Sequence, residues 1–130
     1  MHAEHADKTE LNALSGEIIG CAFAVLNTLG AGFLEKVYEN ALALELRDHG
    51  ITVEQQHGIT VTYRGVAVGE YFVDLLVGQS VLVELKSVRA LEEIHRMQCV
   101  NYLKGTGLQL CLLLNFGLPR LEIKRVVNHL

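Results

Sequence analysis

One stretch limits what this chain can fold into more than any other. Between Phe72 and Lys86, two apolar runs ending at Val77 and starting at Val81 flank a polar break, Gly78-Gln79-Ser80. β-Branched runs around a short glycine-containing break predict two antiparallel strands joined by a tight loop. With a three-residue loop, Val77 faces Val81, and counting back along the ladder sets Asp74 opposite Glu84. Directly opposed residues have Cβ atoms about 4.5–5.5 Å apart. The strand period of two keeps Lys86 on the face of Glu84. Two carboxylates and an ammonium therefore converge on one hairpin.

Their surroundings make this arrangement costly. Nearly every other residue of both runs is Val, Leu or Phe, a pattern that belongs to central strands covered on both faces. A buried charge is expensive unless it is paired or holds a metal, and like charges directly opposed repel. A divalent cation answers both difficulties, and hard cations such as Mg²⁺ take oxygen ligands. The plainer alternative is a salt bridge from Lys86 to Glu84 or Asp74.

The remainder of the chain supplies the frame. At 130 residues it is long enough for a real core, and the expectation is a single domain over 9–130 after a disordered segment at 1–8. Half the residues are apolar, and 11 basic against 15 acidic residues leave a net charge of −4. That balance is not that of a surface coated for tight, non-specific nucleic-acid binding, yet it leaves nucleic acid open, because a metal site concentrates acidic residues and a small basic rim suffices. Cys21, Cys99 and Cys111 are widely spaced within apolar stretches. With no Cys-x-x-Cys pair they predict reduced, buried thiols and a cytoplasmic protein. No targeting segment is expected from the polar N-terminus. The apolar run from Ile18 to Leu34 is interrupted by Asn27, Thr28 and glycines, so no membrane span is expected.

Helical spacing of Leu11, Leu14, Ile18, Cys21, Val25 and Leu29 predicts a first helix from about Glu10 to Leu29, capped by Thr9. A second stripe, Ile19, Phe23 and Leu26, widens its apolar face, which suggests deep burial or a homodimer formed through this helix. A second helix is expected from Leu34 to His49, stopped by Gly50. On it, Glu35 in the first turn and Tyr38 three residues on share a face. Strands are expected over Thr52 to Gln56, Ile59 to Tyr63 and Val66 to Leu76, with a turn at Arg64-Gly65. A third helix, from Leu91 to Lys104, carries an expected core stripe of Leu91, Ile94, Met97 and Val100 or Asn101, with His95, Gln98 and Tyr102 alongside. The apolar run Leu108 to Leu114 then makes a βαβ unit with a parallel strand pair. Leu121 to Val126 reads as a charged edge strand. The fold class is α/β, with α+β character.

Asp74 followed by Glu84-x-Lys86 on a strand-loop-strand resembles the PD-(D/E)xK nuclease superfamily. Gly32-Phe-Leu-Glu35-Lys-Val-Tyr38 resembles the signature of its GxxExxY branch. The segment His95 to Lys104, with its Gln98-x-x-x-Tyr102 pair, is similar to that branch's helix and to RecB-like exonucleases. Leu113-Leu114-Asn115-Phe116-Gly117 is similar to its closing strand and turn. The resemblance spans about Gly16 to Val126. It implies a restriction-endonuclease-like mixed central sheet flanked by helices. It further implies Mg²⁺ or Mn²⁺ held by Asp74, Glu84 and the Leu85 carbonyl, with Glu35 completing the shell. Lys86 would orient the attacking water and steady charge at phosphorus. Tyr38, Gln98 and Tyr102 would position the substrate. Val73 stands where the superfamily's name has proline.

Two functional readings follow. The first is a metal-dependent phosphodiesterase acting on DNA or RNA, carried by Glu35, Asp74, Glu84 and Lys86 together. The second is a non-catalytic module that keeps the fold and binds a protein or nucleic-acid partner. A small-molecule phosphohydrolase ranks third, since no base or sugar pocket is visible.

Overall fold

The computed structural model describes residues 7–128. Of the expected disordered segment, 1–6 lies outside the described residues, while Asp7 and Lys8 open the first helix. Helix α1 runs Lys8–Leu29 and α2 runs Glu35–Asp48. Strands β1 (Val53–Tyr63), β2 (Val66–Val77) and β3 (Val81–Lys86) follow, then helix α3 (Glu93–Thr106) and strands β4 (Leu110–Asn115) and β5 (Glu122–Val127). The strands form one sheet in the order β1-β2-β3-β4-β5. β3 and β4 pair parallel and the other neighbours antiparallel, so the sheet is mixed, as expected, and the β3-α3-β4 crossover supplies its one parallel pair.

Side-chain alternation along the strands splits the interior into two layers. Leu75, Val77, Val81, Val83, Leu85, Leu110, Leu112 and Leu114 pack against α1 and α2. Leu76, Leu82, Cys111, Leu113 and Val126 pack against Cys99, Tyr102 and Leu103 of α3. Strands β3 and β4 are thus covered on both faces, which is what their uninterrupted apolar sequence requires. The three cysteines are buried and free.

Several local expectations are corrected. The cap of α1 is Asp7, in a capping box with Glu10; a carboxylate two residues earlier captures the free amide ahead of Thr9. The wide apolar face of α1 is spent inside the molecule. Leu26 is buried and Ile19 packs against the core, so Phe23 alone on α1 is a large exposed apolar residue. By length and composition α1 could cross a bilayer, yet Leu11, Ile18, Cys21, Ala22, Val25 and Leu26 lie in the core. β1 is continuous through what looked like two strands, because His57 and Gly58, expected to separate them, pair with Val73 and Phe72 of β2. The core stripe expected for α3 is met in part: Leu91 and Val100 pack against the core, but Ile94 and Met97 face outward. Ile94 is 72% exposed and Met97 39%, while Cys99, Tyr102 and Leu103 are buried. The helix is rotated because its small and aromatic residues fit the sheet.

Turns follow residue chemistry. Arg64 and Gly65 both adopt positive φ, 53° and 77°, the pairing that matches a hairpin to strand twist. At Gly117 a Cβ would lie 2.1 Å from the Val88 carbonyl oxygen, so only glycine permits this approach. Beside it, fully buried Asn115 accepts from the Val88 and Gly117 amides and donates to the Val88 carbonyl. That side chain pins the segment leaving β3 to the end of β4.

Candidate active site

The site forms where two strands part. Pairing of β2 with β3 covers Val77↔Val81, Leu76↔Leu82 and Leu75↔Val83, the register anticipated from the loop. Beyond Leu75 and Val83 the carboxylates take over the backbone donors. The Asp74 amide donates to Glu84 Oε1 at 3.2 Å, and the Leu85 amide donates to Asp74 Oδ2 at 2.8 Å. An extended residue presents its N–H and C=O on the same strand edge, so the Leu85 carbonyl leaves β3 on the Asp74 side.

A second irregularity coincides with the first. The β1–β2 ladder passes from Gln55↔Leu75 to His57↔Val73, leaving Gln56 and Asp74 out of the pairing. Side-chain phase changes there too: Leu75 packs toward α1 and α2, but Val73 packs toward α3. The left-handed Gln56 turns the ribbon at the level of Asp74. This frees the Asp74 carboxylate to sit between strands instead of on a packed face.

Electrostatics sharpen the picture. Glu84 is 5% exposed, and its Oε2 lies 3.6 Å from the Lys86 ammonium. Burial pushes the Glu84 carboxyl up to about 8, the Asp74 charge adds to the rise, and Lys86 opposes it. Burial also raises Asp74, against the Leu85 and Gln56 hydrogen bonds that lower it, and the charge of Glu39 adds to the rise. Two neighbouring carboxyls that both resist ionisation, with a single ammonium beside them, form a donor set suited to a hard divalent cation. The salt bridge considered as the plain alternative is present at Glu84, and Lys86 also favours the charged form of Asp74, yet burial still outweighs these contacts and raises both carboxyls.

The other expected site residues divide. Glu35 lies at the end of β3 that carries Lys86, where its carboxylate accepts from the amide of the next residue, Ser87, at 3.3 Å. The acid that faces Asp74 is Glu39, one helical turn later and 3% exposed. Gln56 Nε2 bridges the two, donating to Glu39 Oε1 at 2.8 Å and to Asp74 Oδ1 at 3.2 Å. Glu39 falls outside the motif, although its i+4 relation to Glu35 puts it on the same helix face. Tyr38 does not line the site. It is fully buried and stacks on Phe116 with ring centroids 4.5 Å apart. Its hydroxyl donates to the Gly30 carbonyl at 2.5 Å and accepts from the Phe33 amide at 3.0 Å. Its role is to lash the loop before α2 to the sheet.

Tyr102 is buried on α3, and burial raises its phenol far above the usual range, with the Glu84 and Asp74 charges adding. Its hydroxyl lies 3.5 Å from the Phe72 carbonyl. Gln98 is half-buried and lines a cavity of about 210 Å³ with Tyr71, Met97, Asn101 and Tyr102. A larger cavity of about 490 Å³ shares Tyr71 and Asn101 and adds Lys104 and residues of β1. Together they form a trough between α3 and the β1–β2 ribbon, linked to the carboxylates through Tyr102, which feels the charges of Glu84 and Asp74.

Comparison with known proteins adds the last observations. A family model described as the PD-(D/E)XK nuclease superfamily matches residues 12–126. A search among curated proteins finds no match. Among solved structures, the crystal structure of SSO0001 is similar at 16% identity and a TM-score of 0.54, over 95% of this chain and 60% of that one. The chain thus spans less than two thirds of that protein's length. The crystal structure of an alkaline exonuclease (LHK-Exo) from Laribacter hongkongensis is similar at 16% identity and a TM-score of 0.44, over 96% of this chain and 72% of that one. At such identity the likeness to SSO0001 concerns the fold alone.

Proposed function

The chain belongs to the PD-(D/E)XK nuclease superfamily, and from that premise we propose that it is a metal-dependent nuclease hydrolysing phosphodiester bonds in DNA or RNA. The observation that carries the reading is the fork between β2 and β3. There Asp74 and Glu84 exchange hydrogen bonds with each other's strand, and Lys86 stands 3.6 Å from Glu84. In this reading Asp74, Glu84 and the Leu85 carbonyl hold Mg²⁺ or Mn²⁺, and the bound cation supplies Lewis-acid chemistry to a phosphodiester. Glu39 replaces Glu35 as the outer acid, acting on Asp74 through Gln56.

The chain's own residues do the rest. Lys86 orients the attacking water and meets the charge that grows on the phosphoryl oxygens, in a pocket dry enough to strengthen that attraction. Tyr102 and Gln98 border the path by which a strand would reach Asp74. Tyr71 offers an aromatic face and Lys104 a cation along the same trough, the pairing that suits a nucleic-acid strand. Membership of the GxxExxY branch is part of the proposal. Gly32 donates to the Phe116 carbonyl, Glu35 accepts from Ser87, and Tyr38 stacks on Phe116, so the three signature residues together anchor α2 to the ends of β3 and β4.

The test is cleavage of end-labelled single- and double-stranded DNA and RNA with Mn²⁺ or Mg²⁺. Cleavage that Glu84→Ala abolishes supports the reading, and cleavage retained in that variant overturns it. The second reading, a non-catalytic module, is favoured by one observation: Tyr63, Val66, Val68, Tyr71 and Phe72 leave an apolar ribbon exposed. Metal binding without cleavage of any substrate would select it.

A further inference from the structure

Helices α1 and α2 carry a second cluster, remote in sequence from the carboxylate fork and unused by the proposed chemistry. Glu17 and Cys21 are four residues apart on α1, and Glu45 and His49 are four apart at the end of α2. Residues at that spacing share a helix face, and all four line one cavity of about 290 Å³ between the helices. The ligand atoms of Cys21, Glu45 and His49 lie within 4.8 Å of one another. Cys21 Sγ is 3.7 Å from His49 Nδ1, and that nitrogen is 3.9 Å from Glu45 Oε2.

These separations are informative. Zinc bonds of about 2.3 Å to sulfur and about 2.0–2.1 Å to nitrogen, set tetrahedrally, place the two ligand atoms roughly 3.6 Å apart. The side chains therefore stand close to the spacing a bound ion requires. Sulfur, imidazole and carboxylate together make a set that zinc accepts and that Mg²⁺ does not favour. The charge balance points the same way. Among the described residues no Lys or Arg forms an ion pair with Glu17 or Glu45. Glu45 and His49 also sit at the carbonyl end of α2, where the helix dipole favours a cation. Burial, and after it the charges of Glu45 and Glu17, raise the Cys21 thiol, so a metal entering here displaces the thiol proton to solvent. His49 Nδ1 also lies 2.8 Å from the Glu45 carbonyl oxygen. That contact holds the ring over the helix end, and a metal would compete for the same nitrogen.

We propose that Cys21, Glu45 and His49 form a zinc-binding site joining α1 to α2, with Glu17 or a water in the fourth position. It is separate from the Asp74–Glu84 fork in both location and ligand chemistry.

The test is titration of the metal-free protein with Co²⁺, followed by zinc competition, in wild type, Asp74→Ala, Cys21→Ser, His49→Ala and Glu45→Gln. Wild type and Asp74→Ala should each develop a thiolate-to-cobalt charge-transfer band that saturates at one Co²⁺ per chain, whatever the oxygen-ligand fork binds besides, and Cys21→Ser should lose that band. His49 and Glu45 are partly exposed, with side chains 53% and 37% accessible, so their variants keep the fold, which circular dichroism checks. Each should weaken zinc binding by about tenfold or more, the range in which ligand environments act. Absence of a thiolate band in wild type, or zinc affinity within about threefold of wild type in both His49→Ala and Glu45→Gln, would overturn the site.

Discussion

The two ends of β2 are built from similar residues and live in different worlds. At the tip Val66, Val68, Tyr71 and Phe72 are 51–62% exposed, whereas at the root Val73, Leu75 and Val77 are fully buried. Residue type does not separate them; neighbours do. The tip pairs only with β1, as a two-stranded ribbon with sparse helix cover, while the root lies between β1 and β3 with helices on both faces. Asp74 stands at the border. A carboxylate farther out would be solvated and ordinary, and one deeper in would be out of reach of a substrate. The border is where a charge is desolvated enough to be reactive and still approachable.

The largest expected effect tests whether the root alone carries chemistry. Glu84→Ala should lower cleavage by more than about 100-fold, because even outer partners of metal ligands cost about 10–100-fold. The same change at Glu70, an exposed carboxylate near the tip, should leave the rate within about twofold. Equal losses from both would break the comparison.

Stability should divide along the same line. Leu82→Ala removes a fully buried side chain and should cost about 2–5 kcal/mol, whereas Val68→Ala should stay within about 0.5 kcal/mol. Urea denaturation of the two variants in metal-free buffer measures both.

The pH dependence sharpens the border's electrostatics. Glu84 in the folded protein titrates at about 8, above its ordinary 4.5. The unfolded chain therefore gives up this proton first, and metal-free stability should fall as pH rises between those values. Glu84→Gln should flatten the slope in thermal melts recorded with EDTA. Mn²⁺ must displace the same proton, so its affinity should rise about tenfold per pH unit toward pH 8 and then level off.

The smallest effect concerns the bridge. Gln56→Ala removes the amide linking Glu39 to Asp74 and should weaken Mn²⁺ binding by about tenfold, read by calorimetry with the fold checked by circular dichroism.

Much of this border was legible in the chain. A three-residue loop sets a register, so Val77 and Val81 point directly to Asp74 and Glu84. The Arg64-Gly65 turn and the stop at Gly50 were legible for the same reason, since each depends on a few adjacent residues. What stayed hidden depends on contacts between distant segments. The outward rotation of Ile94 and Met97 on α3 is decided by which side chains fit the sheet, and a short helix with apolar residues on two stripes does not announce its buried side. Gln56 passes β1 through a left-handed conformation that no local pattern marks. Glu39 is joined to Asp74 only through the Gln56 amide, a contact between α2, β1 and β2 that the motif does not carry. The helix–helix cluster of Cys21, Glu45 and His49 was hidden likewise, its members joined only by the packing of α1 on α2.

The most direct measurement is calorimetric titration of Mn²⁺ into wild type and Asp74→Ala at pH 8. One ion bound per chain in wild type, and loss of that binding in the variant, is the expected result. No binding by wild type, or unchanged binding after Asp74 is removed, would contradict it.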